Sequence, residues 1–294
     1  MASAAQAEDA SFPPGFPLSL RLDGESTPAT FHVIRPFTPF TKAQVYLVRP
    51  ESHKDFPSPL VLKVFDPRYL DDRFPKHAHR PSRPWTLAAE SLAIQKREQG
   101  EITDDFDIYQ LDEEEAEPWH WEAHFFNLLE GSFESEVLAY KRLVELQGQF
   151  IPKFYGSGRL IPTPPKSRAI EPGAILIEYI PGVLLRDIDP ALVLPKLYRP
   201  LMKAVAIFDE RGVIHYDINE NNVMFTPPEA PERAVIIDFG CAGLRQEGVS
   251  DEEWENTLKG DVSHLRISLE RRLRIKLDDR GGISDVDKSA MPAN

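Results

Sequence analysis

The run Gly212-Val213-Ile214-His215-Tyr216-Asp217-Ile218-Asn219-Glu220-Asn221-Asn222-Val223-Met224-Phe225 carries more chemistry than any other part of the chain, and Ile236-Ile237-Asp238-Phe239-Gly240 completes it. Residues 222–226 and 234–238 read as two short strands around a Pro-rich turn. Asp217 and Asn222, five apart in a loop, can face one site. Asp238 lies 21 residues after Asp217, at the end of the hairpin, and can reach the same site. Carboxylates and an amide oxygen are the hard ligands that Mg²⁺ takes, and Mg²⁺ usually arrives with a nucleotide phosphate. An Asp in this position can also accept the proton of an incoming hydroxyl.

Working outward, residues 201–211 read as a helix through Leu201, Val205 and Phe208, stopped by Gly212. Residues 174–177 form an apolar strand that ends in Glu178-Tyr179-Ile180-Pro181-Gly182, a chain-reversing linker that we take as a lobe boundary. Residues 151–155 and 159–161 read as short strands around Gly156 and Gly158. Gly131-Ser132 is expected to cap a helix over 133–147 whose stripe is Phe133, Val137, Tyr140 and Val144. Glu136 falls beside that stripe. It either meets a cation or reaches out to solvent at the stripe edge. Nearer the N-terminus, residues 30–35, 43–49 and 60–65 read as strands. In the last, Lys63 shares a face with Val61 and Phe65. A lysine there means either a special partner or an exposed edge strand. A last helix is expected over about 261–277, with a disordered tail at 278–294.

Charge is unevenly spread. The chain has 294 residues, with 34 Lys+Arg against 47 Asp+Glu and a net charge of −13. Residues 101–122 hold ten acids and no Lys or Arg, which reads as a solvated loop rather than a dock for basic partners. Upstream, Arg68, Arg73, Lys76, Arg80 and Arg83 lie among prolines in a basic loop that either pairs with the acids or binds an anion. Residues 66–130 are therefore read as an insertion, and 1–27 as a disordered N-terminal tail. The acidic balance argues against non-specific nucleic-acid binding. One cysteine, Cys241, excludes an intrachain disulfide and fits a reducing compartment. With no secretory pattern at the N-terminus and no apolar run long enough to span a bilayer, an intracellular protein, cytoplasmic or nuclear, is expected.

His215-Tyr216-Asp217, Asn222 and Asp238-Phe239-Gly240, in that order with strand signals between, resemble the catalytic and metal-binding loops of the protein kinase-like superfamily, H-R-D, Asn and D-F-G. The Pro-rich insertion and the short carboxyl lobe are similar to the divergent kinase-like proteins common in fungi. The resemblance implies an α+β, two-lobed fold. Its N-lobe, residues 28–180 with the insertion, holds an antiparallel sheet and one helix. Its short C-lobe, residues 181–277, is mostly helical. It implies ATP and Mg²⁺ as cofactors and transfer of the γ-phosphate to a hydroxyl, most simply a protein Ser or Thr. Asp217 then acts as base with Asn219 beside it where a lysine often stands, and Asn222 and Asp238 hold the metal. Lys63 resembles the strand lysine on the phosphates and Glu136 its helix partner. Glu178 and Ile180 resemble the hinge that receives adenine, with Ile177 as its gate, and Asp261 resembles an acid that braces the catalytic loop.

The departures are as informative. No G-x-G-x-x-G lies between the first strands, where residues 38–42 stand instead. Tyr216 replaces the arginine that reads a phosphorylated loop, and no A-P-E follows Gly240. These changes are similar to small-molecule kinases of the aminoglycoside or choline type, and they keep open a pseudokinase that only binds partners. His120 and His124 have helical spacing, but Glu122 is misplaced for a zinc protease motif, and a metal site is not expected there. Cys241 is expected to pack rather than react. The sequence does not specify an oligomeric state.

Overall fold

The computed structural model describes residues 12–52, 56–74, 81–112, 115–257, 259–278 and 281–282. Six strands form a closed antiparallel barrel: β1 (Pro17–Leu22), β2 (Ala29–Pro36), β3 (Gln44–Pro50), β4 (Leu60–Phe65), β5 (Phe154–Leu160) and β6 (Gly173–Glu178), in the order β1-β2-β3-β4-β6-β5. Period-two alternation sends Leu18, Leu20, Leu22, Phe31, Val33, Tyr46, Val48, Leu60, Leu62 and Val64 into one cluster that fills it. β1 falls inside the stretch expected to be a disordered tail. It pairs with β2 and β5, and its backbone approaches β5 so closely that a Cβ on Gly158 would stand 2.2 Å from the Arg21 carbonyl oxygen. Gly156 and Gly158 therefore lie within one continuous strand, not between two.

β4 sits between β3 and β6, with Lys63 opposite Val45 and Ile175, so the edge-strand explanation of this lysine does not hold. Lys63 is buried on the outer barrel face with Val61 and Phe65. Phe65 packs edge-on against Phe133, with centroids 5.7 Å apart.

Among the described residues the helices, in chain order, are α1 (Leu87–Glu98), α2 (Pro118–Arg142), α3 (Pro195–Glu210), α4 (Asp251–Glu255) and α5 (Asp261–Leu273). The helix expected to begin after Gly131-Ser132 instead begins at Pro118 and runs through both residues. Ser132 returns its hydroxyl to the Leu128 carbonyl, and a buried stripe of Phe125, Leu129, Phe133, Val137 and Tyr140 outweighs the ~1 kcal/mol cost of an internal glycine. The helix stops at Arg142, before a short 3₁₀ turn over Val144–Leu146.

The insertion is correspondingly more ordered than expected. Thr86 caps α1, and Ile102 and Ile108 are buried. Trp119 packs with Ala93, Ile102, Phe106 and Ala123. His120 stacks on Trp119 and Phe106, and His124 packs on Tyr109 and Trp121. The basic and acidic runs do meet in part. Arg73, fully buried, holds Glu122 through both guanidinium nitrogens at 2.8 and 2.5 Å, over the Phe125 ring. Arg168 bridges Asp66 at 2.7 Å and Glu90 at 2.6 Å, and Arg68 closes on Asp66 at 2.8 Å.

The chain divides into two compact units, one from Met1–Glu134 and Tyr155–Tyr179, the other from Ser135–Phe154 and Ile180–Asn294. The second takes the C-terminal turns of α2, so the division does not follow the expected 28–180 and 181–277 spans. The reason is local: Tyr140 stacks on Phe154 and meets Phe239. Here α3 packs against β10, β8 and α5, and the strands form a three-stranded sheet, β10 (Arg233–Ile236), β9 (Val223–Thr226) and β7 (Val183–Leu184), and a two-stranded sheet, β11 (Gly243–Leu244) with β8 (Val213–Ile214). The tail expected at 278–294 falls mostly outside the described residues. No helix among those described is long and apolar enough to cross a membrane.

Removing one member of a buried ion pair strands the other charge. Glu122→Gln should therefore lower stability by about 3–5 kcal/mol. Urea unfolding measures this as a lower midpoint at unchanged slope. A shift below ~1 kcal/mol would mean that Arg73 finds water in the variant.

Candidate active site

The second unit brings the two chemistry-bearing segments together by strand pairing. The His215–Asn222 loop connects β8 to β9, β9 returns as β10, and Asp238-Phe239-Gly240 leads from β10 into β11. β11 then pairs with β8, Gly243 opposite Ile214 and Leu244 opposite Val213. This closed circuit fixes both loops at one place.

His215 is the buried centre of the circuit. Its Nε2 lies 3.1 Å from the Ile237 carbonyl, an acceptor, and its Nδ1 receives the Asp217 backbone N–H at 3.2 Å. One nitrogen must donate and the other accept, so the imidazole is the neutral Nε2–H tautomer. Burial pushes its pKa below the ordinary histidine value, against the opposing pull of Asp261, the Ile237 carbonyl, Asp238 and Asp217. The ring packs on Phe239 at 4.8 Å, and Phe239 also meets Phe208 and Tyr140. Asp261, at the start of α5, accepts the backbone N–H of His215 at 2.6 Å and of Tyr216 at 3.1 Å. The brace suggested by its likeness to a helix acid is thus a pair of charge-assisted hydrogen bonds.

On this buried base Asp217 and Asp238 stand in solvent, Asn219 is half-buried and Asn222 is buried. Asp217 is exposed, and both its oxygens are held: Asn219 Nδ2 donates to Oδ1 at 2.8 Å and Asn222 Nδ2 donates to Oδ2 at 2.9 Å. Both amides also donate to the Asp217 carbonyl, at 3.0 and 2.8 Å. Since those partners are acceptors, the NH₂ group of Asn222 must face them, and Oδ1 is the other end of the amide. Ile237 N–H donates to the Asn222 carbonyl at 3.0 Å, tying the first loop to the residue before Asp238. Asp238 is exposed and accepts the Gly240 N–H at 3.2 Å.

Two non-glycine residues here adopt left-handed backbone, Tyr216 at φ 60° and Asp238 at φ 67°. Such conformations cost roughly 1–3 kcal/mol each and persist only where surrounding contacts determine them. Tyr216 is held by Asp261 below and by Gly243 beside its ring, where a Cβ would come within 2.3 Å of Cε2. Cys241 is half-buried between Asp238 and β11.

The sequence-predicted residues fall into two sets. Asp217, Asn219, Asn222 and Asp238 share the hairpin of the second unit. Glu136, fully buried on α2, and Ile180, buried after the linker, belong to that unit too. Lys63 and Glu178, on β4 and β6, belong to the barrel unit, and Lys63 Nζ lies 5.2 Å from the Phe65 ring. Sequence reasoning missed Tyr140 as the Phe239 partner and gave no role to His215 beyond motif membership.

Residues 153–280 match the family model described as the RIO domain. The serine/threonine-protein kinase RIO2 of Saccharomyces cerevisiae is 28% identical over 155 residues, which cover 49% of this chain and 34% of that protein. The chain thus matches only about a third of the length of that curated relative. Among solved structures, the kinase domain of PknI from Mycobacterium tuberculosis aligns with TM-score 0.43 at 16% identity, covering 90% of this chain and 76% of that one. The Rio2 kinase of Chaetomium thermophilum, solved as an ADP/Mg²⁺-phosphoaspartate complex, aligns with TM-score 0.43 at 16% identity, covering 82% and 56%.

A histidine buried neutral makes folding pH-dependent. Its folded-state pKa lies below the unfolded value of ~6.5, so in that interval the unfolded chain binds more protons and stability rises with pH. The contribution is whole above about pH 6.5 and is lost as pH falls through the depressed value. The urea midpoint should drop on acidification below ~6.5. The drop should be smaller in His215→Gln, which keeps a donor for Ile237. An identical slope in both proteins would assign the pH dependence to other groups.

Proposed function

We propose that this chain, a divergent member of the protein kinase-like superfamily, is an ATP- and Mg²⁺-dependent phosphotransferase that passes the γ-phosphate to a hydroxyl, most simply of a protein Ser or Thr. The observation that carries this reading is the held carboxylate of Asp217. It is aimed by two amides and joined through Asn222 and Ile237 to the loop that presents Asp238. Asp217 is the base that orients and deprotonates the acceptor hydroxyl, and Asn219 keeps it in place. Asn222 Oδ1 and the Asp238 carboxylate are the metal donors. A carboxylate and an amide oxygen suit a hard cation. No cluster of three or more His, Cys, Asp or Glu among the described residues could hold one alone, so nucleotide phosphate and water complete the shell.

Lys63 and Glu136 take the roles implied by their motif positions, a phosphate-positioning lysine and its helix carboxylate. Glu178 and Ile180 take those of the adenine hinge. The missing glycine loop leaves phosphate cradling to residues 38–42, whose Thr38 and Thr41 offer hydroxyls. Such an enzyme works where ATP is abundant, inside the cell. The alternative acceptor, a small molecule, is distinguished by offering labelled ATP with generic proteins and with a metabolite panel.

Mg-ATP should stabilise the fold by linkage, by ~2.7 kcal/mol at a hundredfold excess over its dissociation constant. A well-folded sample that shows no thermal shift would favour a pseudokinase that binds partners instead.

The two acids separate chemistry from binding. Asp217→Asn should leave Mg-ATP affinity close to wild type while lowering turnover about 10²–10⁴-fold, the scale of a general base acting in the transition state. Asp238→Asn should weaken nucleotide binding itself, with the deficit shrinking as Mg²⁺ is raised. Unchanged turnover in Asp217→Asn, measured per folded molecule, would sink the assignment of that carboxylate.

A further inference from the structure

Helix α2 ends in a side chain that neither the motif nor the proposed chemistry uses. Arg142, half-buried, spreads its guanidinium over two backbone carbonyls: Nη1 donates to Gly212 at 2.7 Å and Nη2 to Arg245 at 2.8 Å. The Gly212 carbonyl also accepts the Arg245 N–H at 2.9 Å. Gly212 directly precedes β8 and Arg245 directly follows β11, so the fork closes the open end of the two-stranded sheet.

β8 runs straight into His215-Tyr216-Asp217, and β11 follows Asp238-Phe239-Gly240 after two residues. One guanidinium thus grips both segments from behind. A second arginine continues the line. Arg245 donates to the Val249 carbonyl at 3.0 and 2.6 Å and pairs with Asp251 on α4 at 2.7 Å. The same stretch of α2 carries Tyr140, packed on Phe239, and buried Glu136.

We infer that Arg142 is a positioning residue. It sets α2 in register with the Asp217 and Asp238 segments through a permanent side-chain clamp. This rests on the phosphotransfer reading and deepens it. The post-Asp238 segment is held without a phosphate, which agrees with a tyrosine at position 216, where no fork for a phosphate exists. The clamp needs two parallel N–H donors from one planar group. A lysine supplies the charge but only a point donor.

The test uses the full chain with Arg142→Lys and Arg142→Ala, read by amide hydrogen exchange and by steady-state kinetics. Both variants should exchange the Arg245 and β8–β11 amides at least about tenfold faster, while the barrel amides stay protected. Turnover at saturating Mg-ATP should fall about 10–100-fold with KM for ATP nearly unchanged, as expected for misplaced rather than missing groups. Millimolar guanidinium should restore part of the turnover of Arg142→Ala and none in Arg142→Lys. Wild-type exchange and turnover in Arg142→Lys would overturn the inference. So would exchange accelerated throughout the second unit with turnover per folded molecule intact, since Arg142 would then be a stability brace only. A wild-type chain that binds Mg-ATP and transfers nothing would sink the phosphotransfer reading, and the exchange pattern would still decide the clamp.

Discussion

Neutral His215 is the interaction on which the site depends. It is buried, it donates to the Asp238 segment through Ile237, it accepts from the other segment through Asp217 N–H, and its ring lies on Phe239. A protonated imidazole would present a second N–H to a group that is itself a donor, and the junction would open. Asp261 sits below this joint and accepts two further backbone N–H groups, so the strained turn at Tyr216 is fixed from two sides. The exposed carboxylates above have rigid supports, which is how a side chain in solvent keeps a defined direction.

What the sequence disclosed follows from how local each signal is. That the Asp217, Asn222 and Asp238 segments come together was readable because their order and spacing are carried by a few neighbouring residues. The strands at 30–35, 43–49 and 60–65 were readable because alternation over six or more residues survives without knowledge of partners. β1 was not. Its Leu18, Leu20 and Leu22 acquire meaning only when β2 and a distant β5 flank them. The first half of α2 was hidden by acids before it and by Gly131-Ser132 inside it, both of which read as helix boundaries. Arg142 leaves no trace in the sequence at all, since its acceptors are backbone carbonyls that every residue possesses.

The insertion shows how composition can mislead. Ten acids without a Lys or Arg suggest a solvated loop, yet Glu122 is the buried counter-charge of Arg73 and Ile102 and Ile108 are core residues. Charge was partitioned by position. Asp104, Asp105, Asp112, Glu115 and Glu117 are exposed, whereas Glu90, Glu122 and Asp66 each face arginine. Burying ions in this way is not an efficient source of stability. Other arrangements of α1 and the start of α2 would leave a charge stranded.

The closed barrel has a consequence for how the chain reaches this state. Leu20 must pair with Leu160, and everything between them has to be synthesised before that seam can form. Until β5 and β6 are made the nascent chain carries two open strand edges, one on β1 that awaits β5 and one on β4 that awaits β6, each a template for pairing with other chains. Contacts of such sequence separation form late, since loop closure precedes any gain from pairing. The finished barrel is therefore well protected from edge-to-edge association, while the partly made one is the species most exposed to it, and crowding of emerging chains is the circumstance in which this protein is most prone to aggregate.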